Sequence, residues 1–198
     1  TLAAFPFGTA KDISIGSIIA RAVRITYVGE SGWELHISMD QAPALYDSLM
    51  EAGVDLGLTN AGHYAINGLR LEKGYRTWKG DLSQEYTLLE AGLERFIRLE
   101  KPQAFPGKAA LVAERAAGPQ RRFVTLVVEG NPQDAPAMAT LRLKGRVVGE
   151  VTSGGYGYRV DASIALGGVQ AEAAVPGTDL TVEIFGQSYR ATVQPDAP

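Results

Sequence analysis

Two short stretches near the start of the chain carry the spacing of paired strands. Arg24-Ile25-Thr26-Tyr27-Val28 and Trp33-Glu34-Leu35-His36-Ile37 are rich in β-branched and aromatic residues, and Gly29-Glu30-Ser31-Gly32 between them is a turn signal. The segment from Ser17 to Met39 therefore predicts a β-hairpin. In that register Val28 pairs with Trp33, Tyr27 with Glu34, Thr26 with Leu35 and Ile25 with His36. Alternation then places Val28, Trp33 and Leu35 on a core face, and Tyr27, Glu34 and His36 on the other.

The period changes after Asp40. Ala42, Leu45, Leu49 and Met50 recur at helical spacing, which predicts a helix over 41–52 with Asp40 as N-cap and Gly53 as its end. A second helix is predicted from about Ala61 to Lys73, capped by Thr59 or Asn60 and closed by Gly74. Tyr75 to Asp81 reads as a loop with two aromatics, and Leu88 to Leu93 as a helical turn or the start of a strand.

Lys101-Pro102 and Phe105-Pro106-Gly107 mark the best domain boundary. A short helix over 107–117 is followed by six strand-like runs, Arg122–Glu129, Met138–Leu143, Arg146–Thr152, Ser163–Val169, Leu180–Ile184 and Ser188–Val193. Lys144-Gly145 and Phe185-Gly186 sit where hairpin tips belong. Many short strands separated by Gly and Pro turns predict a small antiparallel barrel or sandwich.

Composition narrows the chemistry. With 198 residues, 45% hydrophobic and 21% charged, the chain is globular rather than disordered, and long enough for one large or two small domains. A net charge of −3 argues against a general nucleic-acid binder. The absence of cysteine excludes disulfides, thiolate metal sites and cysteine nucleophiles; it is compatible with a cytoplasmic location, which is the expectation taken here. No apolar run approaches the roughly 20 residues of a membrane span, so no membrane partner is expected. The chain opens on Thr1 rather than methionine and stops at Gln194-Pro195-Asp196-Ala197-Pro198, as though cut from something longer.

The usual catalytic signatures are missing. Gly154-Gly155-Tyr156-Gly157 lacks dinucleotide-loop spacing, Gly107-Lys108 is not a phosphate loop, and His36 and His63 are too few for a histidine metal site, so no metal is expected. One constellation stands out, Tyr27-x-Gly29-Glu30-x-Gly32-Trp33-Glu34. It reads either as a hairpin with a polar outer face or as a ligand platform. On a platform, one glutamate accepts two parallel N–H bonds from a flat heterocycle while a phenol packs on the ring.

Thr26 to Glu34 resembles the Y-[TV]-G-E-x-G-[WYF]-E motif of the glycine-cleavage T-protein (aminomethyltransferase) family. Gly68-Leu69-Arg70-Leu71-Glu72-Lys73-Gly74 is similar to its L-R-L-E-x-G helix end. Trp78-Lys79-Gly80-Asp81-Leu82 with Leu89-Glu90-Ala91-Gly92-Leu93 resembles its W-G-x-D-[IL] and E-A-G-L segments, and Val151-Thr152-Ser153-Gly154 with Ser163-Ile164-Ala165-Leu166-Gly167 its T-S-G and S-I-A-L-G runs. These matches run in family order over nearly the whole chain. The fold implied is α+β: the C-terminal half of a folate-binding domain over residues 1–100, then a small antiparallel β-barrel over 101–198.

Leu71-Glu72-Lys73-Gly74-Tyr75-Arg76-x-Trp78 and Gly154-Gly155-Tyr156-Gly157 resemble the sarcosine/dimethylglycine dehydrogenase type more than the free T-protein. That resemblance implies an N-terminal FAD domain, absent here, that oxidises an N-methyl amine. It also implies a T-protein-like part holding tetrahydrofolate, which captures the one-carbon unit as 5,10-methylenetetrahydrofolate. Tyr27 and Glu34 match the positions expected to contact the pterin; Glu30, Arg70 and Trp78 are further candidate pocket residues. Phe5-Pro6-Phe7 corresponds to a point well inside the family's folate-binding region. The family's catalytic aspartate therefore lies upstream and is assigned to no residue here, neither Asp55 nor Asp81, and the chain alone is expected to be inactive. Ile66-Asn67 stands where the free T-protein has Arg-Asp, Lys79 replaces a glycine and Leu88 a proline. The alternatives are a free aminomethyltransferase or methyltransferase, and a non-catalytic folate-binding paralogue.

Overall fold

The structure is a computed structural model, and it describes residues 3–130 and 133–195. The terminal features noted at Thr1 and Asp196–Pro198 lie outside the described residues. Two compact units emerge, Thr1–Ile66 and Asn67–Pro198.

The first unit holds a three-stranded antiparallel sheet in the order β1 (Ala10–Ile15), β2 (Ile18–Val23), β3 (Glu34–His36). β2 reads as a half-buried strand: Ile18, Ala20 and Ala22 are buried while Ile19 and Arg21 face outward. Across β1–β2, Ala20 lies opposite Ile13, and Arg21 pairs with Asp12 at 2.8 Å. The hydrogen bond from Arg21 holds the Asp12 carboxyl below its ordinary range.

The expected hairpin is not formed. β3 pairs with β2 instead, with Arg21 opposite His36, Ala22 opposite Leu35 and Val23 opposite Glu34, and residues 24–33 are a loop. Local interactions account for this. The Arg24 guanidinium lies 5.5 Å from the Trp33 ring and donates to the Phe5 carbonyl at 2.5 Å, while the Arg24 N–H donates to Thr9 O. Val28 N–H donates to the Thr26 hydroxyl, which turns the chain where a straight strand was expected. Strand-like composition in 24–28 thus yields to side-chain capture of the loop.

Helix α1 spans Ala42–Gly53 after a 3₁₀ turn, Met39–Gln41. Asp40 lies in that turn and makes no cap; Gln41 occupies the N-cap position. Of the expected apolar stripe, Leu45 is buried and Leu49 stays exposed. Gly53 ends the helix with φ −92°, not in a left-handed conformation. Its value is space: a Cβ there would stand 2.4 Å from Leu58 Cβ.

Helix α2 (His63–Glu72) closes as its sequence predicts. Gly74, at φ +60°, donates to Leu71 O and Tyr75 N–H donates to Arg70 O, the paired bonds of a Schellman end. After α3 (Lys108–Ala117) come β4 (Arg121–Val128), β5 (Thr140–Leu143), β6 (Arg146–Gly157), β7 (Ala162–Gln170), β8 (Asp179–Ile184) and β9 (Gln187–Val193). They form a closed antiparallel barrel in the order β4-β7-β6-β5-β8-β9. Both expected tips are two-residue turns with positive φ throughout, Lys144 and Gly145 at +50° and +82°, Phe185 and Gly186 at +48° and +80°. Leu126, Leu141, Val182 and Ala191 are wholly buried in the interior.

The compact units divide at Ile66/Asn67, earlier in the chain than the Pro- and Gly-marked boundary near residue 101. Residues 67–100 are tied to the barrel by packing and charge. Leu71 packs with Phe123 and Leu166, the Phe123 N–H donates to Glu90 O, and Arg122 pairs with Glu94 at 2.6 Å. Glu90 also accepts from Arg121 and from the Thr87 N–H. Burial alone would raise the Glu90 carboxyl; the Arg121 hydrogen bond, the Thr87 N–H and the Arg121 charge together outweigh it and leave it lowered.

A depressed carboxyl contributes stability that is present above its unfolded pKa and lost as pH falls through the folded value. Glu90→Gln should therefore lower the melting temperature near neutral pH and flatten its decline under acid. Melting curves of both proteins between neutral pH and pH 3 check this; parallel acid limbs would contradict it.

Candidate functional site

The first candidate region is the loop 24–33 with the start of β3. Glu34 is the first residue of β3, its side chain 56% exposed, and its carboxylate lies 3.3 Å from His36 Nε2. Alternation puts Glu34 on the face that carries Asp12, Arg21 and His36. Tyr27 stands in the loop and is 42% exposed as a residue, and Glu30 is exposed near the loop's tip. The ladder that was to set Tyr27 opposite Glu34 does not exist. Their accessibility, not cross-strand pairing, is what the structure gives them in common. Trp33, expected in the core, is half-exposed between Arg24 and the edge of Phe5, 6.3 Å away.

The second region lies wholly within the barrel-bearing unit. Arg70, near the end of α2, is buried, and its guanidinium spends four of its five N–H groups inside the protein. Nε donates to Asn67 Oδ1, Nη1 to Tyr75 O and to Asp81 Oδ2 at 2.6 Å, and Nη2 to Ser153 Oγ. Asp81, at 0% exposure, accepts Arg70 and the Thr77 N–H on one oxygen, and the Thr152 and Ser153 hydroxyls on the other. Two successive strand residues reach the same carboxylate because β6 bulges: Val151 lies opposite Gly167 and Ser153 opposite Leu166, leaving Thr152 as the extra residue.

The network occupies Arg70: its charge is neutralised by Asp81 and four of its five donors are committed to the protein. Asp81 likewise has no open lone pair for a reaction. What the sequence showed was three separate motifs, L-R-L-E, W-x-x-D and T-S-G. The structure joins them, since Arg70, Asp81, Thr152 and Ser153 are neighbours. Partners 11 and 83 residues away from Arg70 cannot be read from local spacing, though two charged residues flanking Leu71 in an apolar helix end were a usable signal.

Trp78 is 62% exposed at the tip of the loop that Asp81 ties down. Asp81 and Leu82 N–H donate to Thr77 O, Lys79 N–H donates to Leu82 O, and Trp78 bridges to Leu82. Lys79, standing where the family motif has glycine, is held at φ +69°. The fourth buried charge, Glu72, accepts the Arg159 N–H and so fixes the β6–β7 tip. Four clefts on the second unit are lined by other residues than Tyr27, Glu30, Glu34, Arg70 and Trp78. Among the described residues no group of three or more His, Asp or Glu is arranged to hold a metal ion. No helix there is long and apolar enough to cross a membrane.

The second unit is thus a closed six-stranded antiparallel barrel with a buried Arg–Asp–Thr–Ser network under the end of a helix. Residues 1–101 match the model of the GCVT N-terminal domain and residues 121–197 that of the glycine cleavage T-protein C-terminal barrel domain. The chain belongs to the glycine cleavage T-protein family. It is 40% identical to rat mitochondrial dimethylglycine dehydrogenase over 96% of its own length and 22% of that protein. To human mitochondrial sarcosine dehydrogenase it is 38% identical over 98% of its length and 22% of that protein. The crystal structure of aminomethyltransferase T of the glycine cleavage system from Bartonella henselae superposes with a TM-score of 0.83 at 29% identity, over 95% of this chain and 51% of that one. The chain thus spans about a fifth of the dehydrogenases it matches. Both dehydrogenases are mitochondrial, so the cytoplasmic expectation finds no support in them.

Replacing Asp81 by Asn should cost about 3–5 kcal/mol, because the Arg70 charge stays buried without a counter-charge. Urea unfolding checks this, and a loss under about 1 kcal/mol would show that the pair is solvated. Lys79→Gly should stabilise by about 0.5–1 kcal/mol: relief of a left-handed lysine, about 1–2 kcal/mol, exceeds the added flexibility of the unfolded chain. A lower midpoint at unchanged denaturant slope would contradict it.

Proposed function

We propose that this chain is the tetrahydrofolate-binding portion of a folate-dependent one-carbon-transfer enzyme of the FAD-linked sarcosine/dimethylglycine dehydrogenase type. The observation that carries the reading is the 38–40% identity to both dehydrogenases along nearly the whole chain. The Lys73-Gly74-Tyr75-Arg76 run supports the same branch. In this reading the flavin lies in another part of the protein. A flavin there would take the hydride as an N-methyl amine is oxidised to its iminium, and tetrahydrofolate held by this chain would take up that one-carbon unit as 5,10-methylenetetrahydrofolate with release of the demethylated amine.

The loop 24–33 and the start of β3 suit a reduced pterin. Glu34 presents a solvent-accessible carboxylate on a strand, which can accept two adjacent N–H groups of a flat ring. Tyr27 presents an exposed ring from the neighbouring loop, suited to pack on a heterocycle. Tetrahydrofolate supplies the nucleophilic nitrogen when bound, and Tyr27 and Glu34 hold and orient its ring. Glu30 is more remote from this role, at the exposed loop tip. A free aminomethyltransferase is the second reading, favoured by the match to the Bartonella structure; a flavin spectrum of the parent protein separates the two.

Calorimetry of the parent protein with a stable reduced folate tests the site. Glu34→Ala should weaken binding by at least about tenfold, as expected for loss of a charge-assisted pair of hydrogen bonds, and Glu30→Ala should leave it nearly unchanged. Equal losses from the two substitutions would remove the pterin assignment.

A further inference from the structure

Glu34 does not stand alone on β3. Leu35 is half-buried opposite the buried Ala22, so the alternation of the strand turns Glu34 and His36 outward together. There the two side chains meet. His36 Nε2 lies 3.3 Å from Glu34 Oε2, and both groups stay more than half exposed.

The neighbouring strands complete this face. Arg21 of β2 lies opposite His36, and Asp12 of β1 lies opposite Arg21. Asp12 takes the Arg21 guanidinium with both oxygens, Nε at 2.8 Å and Nη2 at 3.0 Å. That bidentate pair neutralises Arg21 and turns its donors toward β1, away from β3. Lys11, the other charged residue of β1, alternates to the opposite face and donates to the Ala4 carbonyl. Within the row Asp12–Arg21–His36–Glu34, the Glu34 charge is therefore balanced by His36 when the imidazole is protonated.

Histidine is the side chain whose charge changes between about pH 5 and 8. Neutral, an imidazole offers a carboxylate at most an uncharged N–H. Protonated, it is a cation in contact with Oε2, and charge-assisted bonds of that kind are roughly twice as strong. A flat ring with two parallel N–H donors needs both carboxylate oxygens. The imidazolium and the ring then compete for the same atom.

We infer that His36 is a positioning residue that sets the availability of Glu34. As the imidazolium it holds Oε2 and weakens capture of an uncharged N–H-donating ring; as the neutral imidazole it releases that oxygen. The inference rests on the reading that Glu34 receives the pterin's N–H groups, and it makes that capture weaker in acid.

Calorimetry of the parent protein with a stable reduced folate, at about pH 8 and about pH 5.5, tests this with three variants. His36→Phe keeps a ring on the strand but carries no charge, His36→Lys stays charged at both values, and Glu34→Gln cannot pair with an imidazolium. Between the two pH values the unaltered protein should lose about threefold more affinity than His36→Phe, the scale of an exposed ion pair. At the higher pH His36→Lys should bind about threefold more weakly than the unaltered protein, and at the lower pH equally well. Glu34→Gln should bind weakly at both, and adding His36→Phe to it should change nothing.

Coincident pH profiles of the unaltered protein and His36→Phe, with Glu34→Gln still weak, would overturn the role of His36 and leave the pterin site standing. So would a larger acid loss in His36→Phe than in the unaltered protein, or undiminished affinity of His36→Lys at the higher pH. Full affinity in Glu34→Gln would remove the pterin site itself, and this inference with it.

Discussion

The Arg70–Asp81 ion pair is the interaction on which the arrangement of the second unit depends. Both groups are withdrawn from water, at a cost that Coulomb attraction repays only when every remaining donor and acceptor is matched. Here the match is nearly complete. Asp81 receives four hydrogen bonds, and Arg70 gives four. The cost of misplacing any partner therefore fixes several elements at once: the Schellman end of α2 through Tyr75 O, the 77–82 loop through Thr77 N–H, and the bulged stretch of β6 through Thr152 and Ser153. Leu71, between two buried charges, adds the apolar contact with Phe123 and Leu166.

That constraint separates structure from chemistry. Side chains that look reactive in the sequence, an arginine and an aspartate within family motifs, are saturated and serve as a joint. Tyr27, Glu30 and Glu34 in the first unit meet solvent. A ligand needs groups it can reach, which is why the pterin reading rests there. The strained Lys79 shows the joint's strength from another side, since a residue that rarely adopts φ +69° is kept there by the loop's closure.

Much of this was legible from residues alone where the physics is local. Gly74 closes α2, and Lys144-Gly145 and Phe185-Gly186 make the tips they predict, because positive φ is a property of one or two residues. The barrel strands follow from β-branched runs between such turns. Pairing in the first sheet was not legible. Arg24–Val28 has strand composition, but Arg24 is taken by Trp33 and Phe5, and β2, with Ile18, Ala20 and Ala22 to bury, pairs with β3 instead. Asp40 failed as a cap because the chain enters α1 through a 3₁₀ turn. For the site, motif resemblance named Tyr27 and Glu34, yet their derivation from a shared ladder did not survive. The partners that hold Arg70 are distant in sequence and were not legible from local spacing.

The central claim is that ligand recognition belongs to the loop and strand around Tyr27 and Glu34, while the Arg70–Asp81 network is a preformed joint. Amide hydrogen exchange of the parent protein, with and without a stable reduced folate, addresses both halves together. The account predicts new protection at residues 24–36 on binding, with amides of Thr77, Asp81 and Ser153 already slow and unchanged. Protection appearing at the 77–82 loop and β6 bulge, with none at 24–36, would contradict it.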